Sequence, residues 1–268
     1  MSRERATLSV AIITQDEEGN LPDCLASVAW ADEVVVCDSG SRDRTLEIAR
    51  RHGARTFQDA WRGFAAHKAL AVERCTRAWV LVLDADERIP EALRQEIQAV
   101  LADSKAADGY TVPRRNYFLG AWVRHGGWYP DRSVRLFRRG CGRFEPRAVH
   151  EAVQVSGRVA HLTHPMDHYT YRSVADFLRR LDRYAHLAAR EMHAAGRAAR
   201  LADLTLRPLW TFFRMYLLQR GFLDGRRGLV LAALYAGYTF AKYAILWEMR
   251  HAECGMRNGR TRATDKGD

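Results

Sequence analysis

The chain has 268 residues, of which 47% are hydrophobic and 28% charged, and its formal net charge at pH 7 is +10. This balance indicates a globular protein with a sizeable core and excludes a disordered chain. The positive charge indicates an anionic partner, which can be nucleic acid, a phospholipid surface or a phosphorylated substrate. Five scattered cysteines without a CxxC pair argue for reduced thiols in a cytosolic compartment and against a zinc site. Because residues 1–5 contain no apolar segment, we expect no signal peptide.

The first half of the chain alternates apolar strands with segments of helical periodicity. Strands are predicted over residues 8–14, 33–37 and 79–83, and each is followed by a segment with apolar residues at helical spacing. Strands separated by helices indicate βαβ units and a mostly parallel sheet that is flanked by helices. We therefore predict an α/β fold for this half.

Each of these strands ends in a polar turn. The turns contain Thr14 with Asp16-Glu17, then Asp38-Ser39-Gly40-Ser41, and finally Asp84-Ala85-Asp86-Glu87. Ligands of open parallel sheets bind beyond the carboxyl ends of the strands, so we expect one site built from all three turns. The Asp38 carboxylate can accept from a base N–H or a ribose hydroxyl, or it can simply form the turn or cap a helix.

The third turn carries the most specific chemistry, because a buried strand rarely ends in clustered like charges without a compensating cation. Oxygen ligands suit Mg²⁺ or Mn²⁺, which usually bind through one or two carboxylates together with substrate phosphates. Neither a dinucleotide fingerprint nor a P-loop sequence occurs in the chain. The turn is therefore expected to hold a divalent metal and a diphosphate, the alternative being a structural acidic loop.

Together these segments resemble the inverting glycosyltransferases of family 2, which have the GT-A fold. Residues 8–21 are similar to the opening strand and its Asn-Glu-Glu turn, with Asp16 in place of the usual Asn. Residues 36–45 are similar to the family's Asp-x-Gly-Ser-x-Asp-x-Thr segment, and residues 83–87 to its metal-binding DxD motif. The resemblance covers residues 8–170. It implies a Rossmann-like catalytic domain over residues 1–170 and a nucleotide-sugar donor bound with Mg²⁺ or Mn²⁺.

The resemblance also implies roles for single residues. Asp86 is the expected metal ligand, with His168 completing the metal shell, and Asp84 is expected near the ribose or a metal-bound water. Lys68 is expected to reach the diphosphate or to lie on a solvated helix face. The nucleotide-sugar-binding candidates are Thr14, Asp16, Glu17, Asp38, Ser39, Gly40, Lys68, Asp84 and Ala85.

An inverting transfer needs a base that takes the proton of the acceptor hydroxyl while that hydroxyl attacks the anomeric carbon. A carboxylate is the family's usual choice, and Glu151 is the expected base, with His150 orienting it or contacting the acceptor. The alternative role for Glu151 is an ion pair with a nearby arginine, and Asp131 and Asp167 are the alternative bases.

Within the family the chain resembles the lipopolysaccharide-core β-glucosyltransferases. The segments behind this likeness are residues 84–88, 127–132, 134–139, 149–151 and 221–225. It implies transfer of glucose from UDP-glucose to an inner-core heptose; the alternative is another sugar, such as rhamnose or galactose, on a different envelope glycan. Arginines alternating with apolar residues over 132–139 predict a strand with a basic face for a phosphorylated acceptor. The acceptor-binding candidates are Trp128, Tyr129, Asp131, Arg132 and Arg135, although the two aromatic residues can equally pack in a core.

From Tyr171 the periodicity becomes helical, and we predict a helical extension over residues 171–256 followed by a disordered tail over 257–268. The run Leu229–Trp247 approaches the length of a membrane span but contains Gly, Tyr and Lys. An amphipathic helical pair lying in the interface, with its arginines on anionic lipid, fits better. The alternative is a helical subdomain packed on the catalytic core or on a second subunit.

The expected location is therefore the cytoplasm, peripheral on the cytoplasmic face of a bacterial inner membrane, with a lipid-linked glycan as acceptor. The competing class is a non-catalytic nucleic-acid-binding protein that uses the +10 charge. The chain has no RRM, zinc-finger or helix-turn-helix signature, and acidic turns repel phosphate unless a metal is bound. We therefore expect no nucleic-acid partner, and the sequence indicates no particular oligomeric state.

Overall fold

A computed structural model describes residues 5–144 and 153–264, with side chains as far as residue 251. The chain divides into two compact units. The first comprises residues 1–117 and 129–170, and the second comprises residues 118–128 and 171–268. The predicted change of character at Tyr171 coincides with a unit boundary, whereas the segment 118–128, which the sequence placed in the first domain, clusters with the helical unit.

The sheet of the first unit begins with four parallel strands in the order β3-β2-β1-β4. These strands are β1 (Leu8–Thr14), β2 (Glu33–Asp38), β3 (Arg55–Gln58) and β4 (Trp79–Asp84). Their connections carry the helices α1 (Leu21–Ser27), α2 (Thr45–Arg51) and α3 (Phe64–Glu73). Parallel neighbours need such crossover connections, so the alternation of strands and helices in the sequence predicts this part correctly.

The sheet continues as β4-β8-β6-β12-β5, in which β8 runs antiparallel to both β4 and β6, and β12 runs antiparallel to β5. Strand β5 (Glu87–Arg88) precedes the helix α4 (Glu91–Ala102). The strands after α4 are β6 (Gly109–Phe118), β7 (Ala121–Trp122), β8 (Asp131–Arg138), β9 (Gly142–Phe144), β10 (Val153–Val155), β11 (Val159–His161) and β12 (Met166–Tyr171). The predicted mostly parallel sheet is therefore corrected to a mixed one. The strands after α4 follow one another without intervening helices, and this favours antiparallel pairing. The predicted α/β fold with flanking helices is confirmed.

Both faces of the sheet are covered. On β1, Leu8, Val10 and Ile12 pack with buried residues of α1, α2 and α4, while Ala11 and Ile13 pack on the side of α3 and the β9–β10 pair. All seven residues of β1 are buried, as expected for a central strand between two layers. With both faces closed, the carboxyl ends of the strands remain as the place for a ligand.

The second unit is helical. It contains α5 (Val174–Ala194), α6 (Leu201–Phe213), a π-helical turn (Arg214–Leu218), a 3₁₀ turn (Gly221–Asp224) and α7 (Gly225–Thr264). Its aromatic core includes Phe118 and Trp128 from the segment 118–128, which explains why that segment belongs to this unit. The helix α7 continues through Thr264, into residues predicted to be disordered. Arginine is a good helix former, and extending an existing helix needs no new nucleus.

Candidate functional site

The turns that follow β1 and β2 hold each other through hydrogen bonds. The backbone N–H of Asp16 donates to Ser41 Oγ at 2.8 Å, and that of Arg42 donates to Asp16 Oδ1 at 2.7 Å. Asp16 has a φ of 54°, a left-handed conformation that Asn and Asp adopt more readily than other residues with a Cβ. This shared tolerance explains why Asp can stand where the family usually has Asn. The two turns thus form one fixed rim.

Asp38 is fully buried at the end of β2, and its own turn satisfies it. Its Oδ1 accepts from the backbone N–H groups of Gly40 at 3.0 Å and Ser41 at 2.9 Å. Its Oδ2 accepts from Thr14 Oγ1 at 3.2 Å and from the Ser41 hydroxyl. A carboxylate offers about four lone-pair sites, so a nucleotide that contacts Asp38 has to displace one of these donors. The turn-forming role is observed, and the nucleotide contact stays a prediction.

Two buried cations compensate the acidic turn after β4. Lys68 Nζ lies 2.9 Å from Asp84 Oδ1, and Arg135 contacts Asp84 Oδ2 at 3.3 Å and Glu87 Oε1 at 2.6 Å. Burial alone would raise the pKa of Asp84, but the charges of Lys68 and Arg135 hold it well below its usual range. Glu87 is fully buried, and its Oε2 accepts from the Asp84 N–H at 2.9 Å. Glu87 therefore shapes the turn.

Arg135 reaches this turn through an irregularity in the pairing of β6 and β8. Val134 pairs with Thr111 and Leu136 with Tyr110, so Arg135 is the extra residue of a β-bulge. The sequence pattern placed Arg135 on a basic, acceptor-facing strand surface. Its guanidinium instead lies inside, with 5% of the residue exposed. Burial would lower the pKa of Arg135, but Glu87 and Asp84 raise it above its ordinary value, so the charge is permanent.

The predicted metal ligands face each other. Asp86 Oδ2 lies 3.5 Å from His168 Nε2, and both residues are largely buried. His168 Nδ1 lies 2.7 Å from Asn116 Oδ1, and because an amide oxygen only accepts, Nδ1 carries a proton and Nε2 is directed to Asp86. Burial would lower the pKa of His168, but the Asp86 carboxylate raises it above its ordinary value.

This donor set fits a divalent ion that is bound jointly with a ligand. Within residues 5–144 and 153–251, no three His, Cys, Asp or Glu side chains form a group that could hold a metal. Asp86 and His168 therefore offer two ligands, one oxygen and one nitrogen. Mg²⁺ and Mn²⁺ commonly bind through one or two protein groups and take phosphate oxygens and water at the other positions.

The strand β12 brings His168 to the acidic turn. His168 pairs with Glu87 across the β5–β12 ladder, and the N–H of Tyr169 donates to the carbonyl oxygen of Asp86 at 2.9 Å. Asn116, on the neighbouring strand β6, was missed by the sequence analysis. No local pattern marks it, because its role depends on strands that are far apart in the sequence.

Asp59 and His67 were missed as well. The N–H of Asp59 donates to the carbonyl oxygen of Asp38 at 3.0 Å, and His67 is fully buried. Within the described residues, Asp59 Oδ2 is buried without a hydrogen bond. Burial lowers the pKa of His67, so its ring is neutral at pH 7. Buried polar atoms without a partner are rare in folded proteins.

The predicted base, Glu151, and its neighbour His150 lie outside the described residues. Both alternative bases are engaged, since Asp131 accepts from Arg114 and Asp167 accepts from Arg115.

The remaining acceptor candidates are dispersed. Arg132 Nη1 donates to the carbonyl oxygen of Leu162 at 2.9 Å, and the Arg132 side chain is largely exposed. Trp128 is 8% exposed, with its ring 6.2 Å from that of Phe118 and 6.3 Å from that of Tyr171. Trp128 thus packs in the core of the second unit, which was the alternative left open for it. Tyr129 belongs to the first unit.

The chain is similar in sequence or structure to several known proteins. The chain is 31% identical over 252 residues to the lipopolysaccharide core biosynthesis glycosyltransferase LpsC of Rhizobium meliloti (strain 1021), covering 91% of this chain and 93% of that protein. Among solved structures, S. aureus TarS residues 1–349 has a TM-score of 0.45 at 15% identity and 92% coverage of both chains. Glucosyl-3-phosphoglycerate synthase from Mycobacterium tuberculosis, solved with Mn²⁺ and UDP, has a TM-score of 0.35 at 21% identity and covers 42% of this chain and 44% of that chain.

The similarity to the family extends well beyond any single motif. Residues 9–155 match the family model described as glycosyl transferase family 2, and this stretch contains all three polar turns. Together with the relative that is 31% identical over most of both chains, the match shows that this protein belongs to glycosyl transferase family 2.

Proposed function

We propose that this glycosyltransferase moves a hexose, glucose from UDP-glucose, with inversion onto a lipid-linked envelope glycan such as the inner-core heptose of lipopolysaccharide. The observation that carries the proposal is the Asp86–His168 pair beside the compensated Asp84 at the carboxyl edge of the sheet. The name of the LpsC relative supports the choice of the lipopolysaccharide core as acceptor class.

In this proposal Asp86 and His168 hold Mg²⁺ or Mn²⁺, and the bound ion would offset the charge that develops on the leaving diphosphate. Lys68 keeps Asp84 ionised and, with three N–H donors on its ammonium, can also donate to a phosphate oxygen.

Glu151 is the proposed base that removes the proton of the acceptor hydroxyl. The arginine contacts of Asp131 and Asp167 support this choice, because a carboxylate stabilised by a guanidinium is a weaker base. Glu151→Gln should abolish transfer and leave donor binding intact. Retained turnover in this variant would move the role to Asp131 or Asp167.

We further propose that the second unit attaches the enzyme to the cytoplasmic face of the inner membrane. Within the described residues, the stretch Gly221–His251 is long and apolar enough to cross a membrane, and only 22% of its most apolar window is buried. Large apolar side chains on α6 are also exposed, including Leu209 at 67% and Leu206 at 64%. Such surfaces typically mark contact with lipid or with another protein.

The test of the function is a panel of nucleotide sugars with Mg²⁺ or Mn²⁺, offered together with heptose-containing and heptose-free lipopolysaccharide acceptors. Release of UDP from UDP-glucose that requires both the metal and the heptose acceptor is the expected result. The Asp86→Ala variant should lose this activity, and the exposed control Asp182→Ala should keep it. If another sugar is transferred, or if the heptose-free acceptor serves equally well, the proposed donor or acceptor is wrong.

A further inference from the structure

A pocket in the second unit takes no part in the proposed transfer. It lies between α6 and α7 and has a volume of about 320 Å³, which is within the range of small-molecule sites. Three cationic side chains line it, Arg207 and Arg214 from α6 and its π-helical extension and Lys242 from α7. No carboxylate is among the lining residues. The pocket therefore has the charge of an anion site.

The positive charge of the pocket is only partly compensated. Arg207 forms an ion pair with Asp203, which also accepts from the Arg200 N–H at 2.9 Å. Within the described residues, neither Arg214 nor Lys242 pairs with a carboxylate; Lys242 Nζ lies 5.5 Å and 5.1 Å from the ring centres of Tyr238 and Tyr243. Burial and the charge of Arg207 lower the pKa of Lys242, as expected for an ammonium that lacks an anion.

Side chains that suit lipid surround this basic pocket. Trp210 lines the pocket and is 55% exposed. Leu206 and Phe213, each about one turn from Trp210 on α6, are more than 40% exposed, as are Leu209 and Leu217. A soluble phosphate compound gains nothing from exposed apolar side chains beside its pocket, whereas a phospholipid carries its phosphate directly next to acyl chains. Basic pockets between helices at a membrane surface are known to bind lipid head groups.

We propose that this pocket binds the phosphate of an anionic membrane phospholipid, with Arg207, Arg214 and Lys242 around the phosphate. The apolar side chains of α6 then lie among the acyl chains, and the hydroxyls of Thr211 and Thr239, 3.2 Å apart, bridge the two helices beside the head group. The proposal rests on the proposed membrane attachment and names the lipid group that is recognised.

The test measures binding of the full-length protein to vesicles of phosphatidylcholine with and without phosphatidylglycerol. The variants are Lys242→Gln and Arg214→Gln; the side chain of Arg214 is exposed, so its replacement leaves the core intact. Arg190→Gln is the matched control, because Arg190 is an exposed arginine on α5 that does not line the pocket. We expect each pocket variant to weaken binding to phosphatidylglycerol vesicles about fivefold and the control to weaken it less than about twofold.

Two results would overturn the proposal. Equal losses for the pocket variants and for Arg190→Gln would show that diffuse surface charge is responsible. Stabilisation by inorganic phosphate alone that disappears in Lys242→Gln, without an effect of that variant on vesicle binding, would assign the pocket to a soluble phosphate. UDP-glucose binding with Mn²⁺, measured on the same variants, separates failure of this proposal from failure of the proposed transfer, because the donor site lies in the first unit.

Discussion

The chemistry of the acidic turn depends on which carboxylates are already compensated. Lys68 and Arg135 compensate Asp84 and Glu87, so Asp86 is the carboxylate of the turn that faces His168. This division of roles explains why three acidic residues can follow one buried strand. It also predicts that the residues that orient or compensate these carboxylates matter as much as the ligands themselves.

Asn116 tests this view, because its amide oxygen fixes the proton of His168 on Nδ1. The Asn116→Ala variant should lower the affinity for Mn²⁺ in the presence of UDP by about 10- to 100-fold, as for other residues that orient a metal-binding histidine. The measurement is a metal titration that follows UDP binding. Gln95→Ala, on α4, is the control and should behave as the wild type. An unchanged Mn²⁺ affinity in Asn116→Ala would remove His168 from the metal site.

The compensation of Glu87 by Arg135 can be tested by measuring the stability of a variant. The Arg135→Met variant leaves the carboxylate of Glu87 buried without its main cation, so we expect the free energy of unfolding to fall by about 3–5 kcal/mol. Urea denaturation measures this change. Arg139→Met is the matched control, because Arg139 is exposed just beyond the same strand, and it should change stability by at most about 0.5 kcal/mol. A similar small effect for both variants would contradict the proposed compensation.

Among the elements, those with a local signal could be predicted, and those that depend on pairing over long distances could not. The strands β1, β2 and β4 follow from short apolar runs with polar ends, and their turns were correctly assigned to one edge. The antiparallel pairing of β8 with β4 and with β6 has no comparable local signal. The bulge that turns Arg135 inward depends on the register between β6 and β8, which one strand alone does not encode.

The same limit applies to the segment 118–128, which the sequence placed in the first domain. Asp224 Oδ2 accepts from the N–H of His125 at 2.8 Å, and Asp224 Oδ1 accepts from the N–H of Arg124 at 3.2 Å. These bonds join residues about one hundred positions apart, so the sequence gives no hint of them.

Removing the carboxylate of Asp224 should loosen the segment 118–128 locally. Asp224→Ala should leave the two N–H groups without their acceptor and destabilise the second unit by about 1–3 kcal/mol. Hydrogen exchange should show faster exchange at Arg124 and His125, with little change in β1. Asp182→Ala, at an exposed position on α5, should leave these amides protected. Unchanged protection in Asp224→Ala would show that the apolar core alone holds the segment.

The stability of the whole molecule at acid pH depends in part on a buried carboxylate, that of Glu33. Glu33 is buried at the start of β2 and accepts from the Ser9 hydroxyl, from Thr76 N at 2.7 Å and from Arg55. Burial would raise the pKa of Glu33, but these hydrogen bonds lower it from 4.5 to about 2. Glu33 therefore contributes stability above pH 4.5, and this contribution is lost as the pH falls towards 2.

The expected contribution of Glu33 is about 3 kcal/mol at neutral pH. Urea denaturation should show that the free energy of unfolding of the wild type falls between pH 7 and pH 3. In the Glu33→Gln variant the same fall should be smaller. Glu91→Gln is the control, because Glu91 is exposed in the first turn of α4. An equal fall in the wild type and Glu33→Gln would assign the acid sensitivity to other carboxylates.

Calorimetric titration with UDP-glucose measures whether the carboxyl edge of the sheet is a metal-dependent nucleotide-sugar site. We expect binding of UDP-glucose in the presence of Mn²⁺, much weaker binding with a chelator, and loss of the metal effect in Asp86→Ala but not in the control Asp182→Ala. Binding that is equally tight without metal, or a metal effect that survives in Asp86→Ala, would contradict it.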